Sequence, residues 1–253
     1  MIRISRQRAQ DVAYGAIGIL AFLALWEYIG VNQLAGLTWP PLSTVLAYLF
    51  DPSRQALFTR AMSASFSMVG AGYVAGTLIG VVLACVAHLV VPLREGLGRF
   101  SSVVHSIPSI ALAPLFIILL SKDWSGMAIA TLNVYFIVFI ATQSGLAAAT
   151  RAHHNVFTTL GSGRLTRLVR LEAPAALPSI VSGLKYAVPA AFIGAIIGEW
   201  FGATRGLGLL MVSAMQNFQI PLLWSAVLLT SAGSLVSFGL MSLVERYVYA
   251  RYR

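Results

Sequence analysis

Long apolar runs alternate along this chain with short polar connections that carry arginine. No Asp, Glu, Lys or Arg occurs from Ala61 to Leu93, from Phe100 to Ser121, from Trp124 to Thr150, or from Gly206 to Val244. About 20 mostly apolar residues cross a hydrocarbon core as a helix. Lipid cannot satisfy an open sheet edge, so such runs predict helices and not strands. The pattern predicts six spans, over about 12–31, 63–91, 100–120, 126–148, 180–200 and 222–244. The fold class this implies is an all-α integral membrane protein, with the whole chain, 1–253, forming a single transmembrane domain.

Finer patterns shape the spans. Between Pro40-Pro41 and Pro52, the residues Leu42, Val45, Leu46 and Leu49 fall at helical spacing and predict a short amphipathic helix on the outer surface. Gly72, Gly76 and Gly80 in the second span recur every four residues, as do Ala190, Gly194, Gly198 and Gly202 in the fifth. Small residues on one face let backbones approach closely in lipid, so these are packing faces, and the fifth span is able to pack against the second. Pro108 and Pro114 remove backbone bonds inside the third span, which marks either a segment lining a path or a packing kink. Asn133, Tyr135 and Gln143 in the fourth span should face other helices. Glu27 reads as an interfacial or helix-packing carboxylate, and Lys185 as a side chain snorkelling to the inner surface. The segment FGATRGLGLLMVSAMQNFQIP, flexible at Gly206 and Gly208, reads as a re-entrant or surface helix.

The stretch from Thr150 to Leu184 breaks the apolar pattern, being polar, arginine-bearing and closed by Pro174 and Pro178. It predicts a substantial structure on one membrane face. Composition agrees with the membrane reading: 58% of residues are hydrophobic, 10% are charged, and mean hydropathy is +0.82. The net charge of +9 does not form one basic patch with interleaved aromatics, which argues against nucleic acid. It reports topology instead, because cytoplasmic flanks retain Lys and Arg. With the N-terminus inside, the inner segments hold Arg3, Arg6, Arg8, Arg94, Arg99, Arg151, Arg164, Arg167, Arg170, Arg246, Arg251 and Arg253, twelve in all. The outer segments hold four cations, Arg54, Arg60, Lys122 and Arg205. Both termini and the polar stretch are thus expected in the cytoplasm. The first apolar run has no small-residue cleavage site after it and reads as a span, not a signal peptide.

Several chemistries are excluded. No G-x-x-x-x-G-K-[ST] occurs, and the two lysines, Lys122 and Lys185, lie in no such loop, so no P-loop for ATP is expected. H-E-x-x-H, G-x-S-x-G and C-x-x-C are also missing. His153 and His154 are neighbours, so on a helix they diverge by about 100° and do not share a ligand face. Cys85 is alone and reads as a small core hydrophobe. The intramembrane ionisable groups reduce to Glu199, His88 and His105, with interfacial placement the plainer account of the histidines. Neither a catalytic group nor a metal or cofactor site is expected in this chain.

Residues Leu160 to Leu184, LGSGRLTRLVRLEAPAALPSIVSGL, resemble the cytoplasmic loop of ABC importer permeases. That family's motif is E-A-A, three residues, Gly, nine residues, Ile, one residue, Leu-Pro. Gly161 takes the glycine, Leu171 the isoleucine and Ala173-Pro174 the Leu-Pro pair, while Asn155, Val156 and Phe157 depart from E-A-A. WPPLSTVLAYL, SIPSIALAPLF and GEWFGATRGLGLLM resemble further segments of the nitrate/sulfonate/taurine branch, in the same order. The resemblance implies a type I importer-like permease in a bacterial inner membrane, with no nucleotide-binding domain of its own. It implies a coupling helix between spans four and five, over about 151–160, that seats in a cleft of a cytoplasmic ABC ATPase dimer. Val156, Phe157 and Leu160 would fill that cleft, with Arg151, His153, His154 and Thr158 around them, Gly161 ending the helix in a left-handed cap and Pro174 closing the motif. It further implies a homodimer with a second permease copy and an extracytoplasmic substrate-binding protein, ATP being bound by the partner. Candidates for the path, chosen by polarity and position, are Phe116, Asn133, Tyr135, Gln143, Glu199 and Trp200. The branch points to small anions as substrate, and the Glu199-Trp200 pair to pyrimidine-type heterocycles. A self-sufficient channel or secondary carrier is the alternative.

Overall fold

In the computed structural model, residues 2–122 and 124–252 are described, with the backbone alone for 2–9. The side chains of Arg3, Arg6 and Arg8, and all of Arg253, which entered the topology count, lie outside that description. The described elements are helical: α1 (Ile2–Val31), α2 (Leu42–Leu49), α3 (Gln55–Leu89), α4 (Val91–Ser106), α5 (Ser109–Leu120), α6 (Ser125–Leu146), α7 (Arg151–Thr159), α8 (Arg164–Arg167), a π-helical turn (Leu168–Glu172), α9 (Ala173–Trp200), α10 (Leu207–Gln216) and α11 (Ile220–Tyr252). Among the described residues five stretches are long and apolar enough to cross a membrane, and there are six if the bent pair α4 and α5 counts as one span.

That bent pair stands where the sequence places the third span and its two prolines. Its two helices meet at 93°. Pro108 lacks an N–H and disfavours helical backbone at the residue before it, so Ile107 is extended (φ −74°, ψ 123°). The helix restarts when Ala111 N–H donates to the Pro108 carbonyl at 2.9 Å. Pro114, by contrast, is accommodated inside α5. The fifth span also begins earlier than expected, at Ala173 and not near 180. Pro174 has no N–H to give the Arg170 carbonyl. The ladder next to it widens, with Ala173 N–H reaching Leu168 O in an i→i−5 bond.

The chain divides into two compact units. One comprises residues 1–58 and 210–227. Within it, Trp26, Trp39 and Trp224 form a triangle of rings 4.8–5.2 Å apart. The indole N–H groups of Trp26 and Trp224 donate to Pro40 O and Thr38 O. Glu27, read as a packing carboxylate, accepts from Ser43 N–H at 2.9 Å and Ser43 Oγ–H at 2.6 Å, satisfying the first turn of α2.

The other unit holds residues 59–209 and 228–253, and α6 lies at its centre. Val69 of α3, Ala130, Val134 and Val138 of α6, and Ala187, Ala191 and Phe192 of α9 form its main apolar cluster. Both small-residue stripes close on α6. A Cβ at Gly76 would strike Thr131 O and Val134, and one at Gly194 or Gly198 would strike the backbone of Ala130 or Gly126. The second and fifth spans therefore do not join through their glycines; they touch through larger groups such as Phe66 and Phe192, whose rings meet edge-on at 5.3 Å. Lys185 does not snorkel either. Its ammonium pairs with Glu245 at 2.7 Å, while Ser182 Oγ donates to the other oxygen of that carboxylate.

Candidate functional site

The polar stretch after α6 folds as α7, α8 and the π-helical turn before entering α9. Thr150 starts α7 by accepting from His153 N–H. Gly161 ends it at φ +67°, with Gly161 N–H donating to Thr158 O and Ser162 N–H to Phe157 O. This is the Schellman arrangement, in which a glycine avoids the Cβ clash of the left-handed region. Arg151, His153, His154, Val156, Phe157, Thr158 and Leu160 are thus gathered on one helix and its cap, with Pro174 apart in the first turn of α9.

No residue of α7 is buried. Val156 is 55% exposed and Leu160 77%, and beyond the turn Leu165 and Val169 also stand open. Arg151, Arg164 and Arg170 are exposed around them. Exposed apolar side chains on a short, basic helix are a surface that a partner would cover. His154 is the exception in direction: its ring, one-third exposed, turns toward the Glu172 carboxylate, with Nδ1 3.7 Å from Oε1. Oε2 of the same carboxylate lies 2.8 Å from His88 Nε2 at the end of α3. Sequence reading missed Glu172, although it is the one acidic residue between Thr150 and Leu184. A cavity of about 330 Å³ beside it is lined by His88, Arg94, Gln143, Leu146, Ala147 and His154.

The six path candidates do not converge. Asn133 sits at the α4–α5 break, where it accepts from Ser109 Oγ–H at 2.6 Å and its amide nitrogen lies 3.4 Å from Ala190 O. Tyr135 is buried, its hydroxyl 3.4 Å from Ser101 O. Gln143 faces the cavity just described. Phe116 is half-buried on α5. Trp200 borders an apolar groove of about 660 Å³ with Ile110, Pro189, Ile193, Ile197 and Leu235. Glu199 is fully buried and faces neither space. It accepts from Ser65 Oγ–H at 2.9 Å and from Gly208 N–H at 2.6 Å, and Ser65 Oγ in turn accepts from Leu207 N–H.

This architecture is that of an ABC transporter permease. It matches the inward-facing crystal structure of the MetNI methionine ABC transporter with a TM-score of 0.70 at 14% identity, covering 79% of this chain and 99% of the other. Residues 76–248 match the family described as the inner membrane component of binding-protein-dependent transport systems, and the chain belongs to that family. A probable ABC transporter permease of Haemophilus influenzae is 31% identical over 250 residues, 92% of this chain and 95% of the relative. The formylaminopyrimidine transport permease ThiX of Halalkalibacterium halodurans is 29% identical over 242 residues, 94% of this chain and 96% of the relative. The chain is therefore a multi-pass inner-membrane permease subunit, of the kind that serves import of small solutes.

Proposed function

We propose that α7 is the joint through which a separate cytoplasmic ABC ATPase drives this permease. Val156, Phe157 and Leu160 enter a cleft of the ATPase, with Arg151, His153 and Thr158 at its rim, and Gly161 and Pro174 fix the exit of the chain toward α9. The observation carrying this reading is an unburied helix with exposed apolar side chains, closed by a left-handed glycine, in a chain of this family. ATP is bound and hydrolysed by the partner, so this chain, a single permease domain over 1–253, needs no cofactor. Two copies, with termini and α7 in the cytoplasm, enclose the path, and an extracytoplasmic binding protein delivers the solute. Similarity to a formylaminopyrimidine permease favours a pyrimidine-type heterocycle over a small anion. The exposed Trp200 face suits a flat ring. Phe116, Asn133, Tyr135, Gln143, Glu199 and Trp200 stay the candidates for the path and its walls.

The test is co-purification with a candidate ABC ATPase, comparing native protein with Phe157→Asp and Gly161→Asp at equal membrane insertion. Both variants should lose at least about tenfold in retained ATPase, since each removes apolar burial or the cap. Normal retention in both would mean that α7 lies on lipid headgroups, as basic amphipathic helices do. Uptake without nucleotide would favour a self-sufficient carrier.

A further inference from the structure

We propose that Glu172 is a latch that holds the coupling helix to the transmembrane bundle, so that movement imposed on α7 reaches the end of α3. The inference rests on the reading of α7 as the ATPase joint and assigns a positioning role to a residue at a position the family motif leaves unspecified. Three observations carry it. First, α7 has no buried residue and its Val156 and the following Leu160 stand exposed, so burial alone anchors it weakly to the spans. A helix meant to transmit displacement needs some rigid attachment besides its chain connections. Second, the Glu172 side chain is only 8% exposed and uses its two oxygens on two elements: Oε2 with His88 of α3 at 2.8 Å and Oε1 with His154 of α7 at 3.7 Å. Third, Glu172 lies in the π-helical turn, a rare geometry that recurs at functional positions because its extra residue re-aims side chains. Here the turn directs Leu168 into an apolar cluster with Leu146 and Ala176, and Glu172 to the histidines. The turn is thereby rooted in the bundle on one side and free to grip α7 on the other.

The surrounding cations support the same placement. Guanidinium groups of Arg94 and Arg164 each lie 3.4 Å from the His88 carbonyl, at the negative end of α3. Arg164 begins α8, so α8 is tied to the end of α3 at the point where Glu172 ties α7. Burying a carboxylate without donors is costly, which makes the pairing with both histidines specific in geometry and not a casual surface contact.

The experiment uses the reconstituted complex of permease, its ATPase and its binding protein in vesicles, comparing native chain with Glu172→Gln, His154→Gln and the double variant. ATPase retention, nucleotide hydrolysis and solute uptake per ATP are read separately. Retention should stay within about twofold of native, while uptake per ATP falls about tenfold or more in Glu172→Gln and several-fold in His154→Gln, within the usual span of coupling energies. The double variant should be no worse than Glu172→Gln, because both changes act on one contact. Native uptake per ATP in Glu172→Gln, or multiplied losses in the double variant, overturns the latch. Should Glu172→Gln fail to insert, the decision passes to His154→Gln, whose partly exposed ring leaves the core undisturbed, and an unchanged ratio there overturns it equally. Loss of ATPase retention in Glu172→Gln alone makes the residue part of docking and also overturns it. A native chain that retains no ATPase removes the docking reading, and the latch falls with it.

Discussion

A carboxylate sealed inside a membrane protein has to find donors, and Glu199 finds them across a short loop. One oxygen, Oε2, accepts from both Ser65 Oγ–H and the Gly208 N–H in the first turn of α10, while Leu207 N–H is satisfied through Ser65. Unpaired N–H groups at this helix start are thus answered by Glu199, nine positions before Gly208, and by Ser65 of α3, in place of a local cap. Gly206, at φ +135°, passes so close to the carboxylate that any Cβ would collide with it. This accounts for an acidic residue and a glycine-rich turn occurring together in GEWFGATRGLG. Glu199→Ala leaves two buried donors unmade and is expected to cost about 1–3 kcal/mol. Thermal unfolding of the detergent-purified protein should show that loss, and a smaller one for Glu199→Gln, which keeps an acceptor. An unfolding temperature equal to native in the alanine variant would refute the role. Gly161 was legible from sequence through the resemblance to the permease loop, whose motif carries a glycine at that place. The position and charge of Glu199 were equally plain, yet they suggested a path residue. Its donors, the Ser65 hydroxyl and the Gly208 N–H, are brought near only by the fold.

At the scale of elements, the spans could be read because hydrocarbon imposes length and apolarity on each, but their partners could not. Periodicity shows which face of a helix is small and is silent on what meets it. The stripes at Gly72, Gly76 and Gly80 and at Gly194 and Gly198 both close on α6, whose own Gly126 and Ala130 are the complementary signal. The break at Ile107-Pro108 was announced by its proline, whereas the 93° turn required knowing what the two halves pack on. Substitution at the glycines tests this arrangement. A methyl group at Gly198 has to displace the Gly126 backbone, so Gly198→Ala should destabilise by about 1–3 kcal/mol through overpacking. Gly70→Ala, on the same helix as the Gly72, Gly76 and Gly80 stripe but facing open space, should be neutral or stabilising by up to about 1 kcal/mol. Unfolding temperatures measured side by side in one detergent decide it, and equal shifts in the two variants would contradict the packing on α6.

For the whole molecule, the decisive quantity is which membrane face carries α7, because an ATPase reaches only one of them. The charge distribution of twelve cations on one set of connections and termini against four on the other predicts α7 and both termini in the cytoplasm. The single cysteine makes this easy to test. Cys85 is half-buried among apolar groups such as Leu89, and Cys85→Ala should be tolerated as a small change in a partly buried position. On that background, single cysteines at Ser162, Tyr252, Asn32 and Lys122 can be challenged with a membrane-impermeant maleimide in right-side-out and inside-out vesicles. Ser162→Cys and Tyr252→Cys should label only in inside-out vesicles, and Asn32→Cys and Lys122→Cys only in right-side-out ones. The reverse pattern would put Val156, Leu160 and the exposed arginines of α7 where no nucleotide-driven partner exists. The joint and the Glu172 latch would then fail together, however well their local geometry is formed. The expected pattern instead leaves one continuous route from the cytoplasmic surface of α7, through Glu172 and His88, into the span that packs against α6.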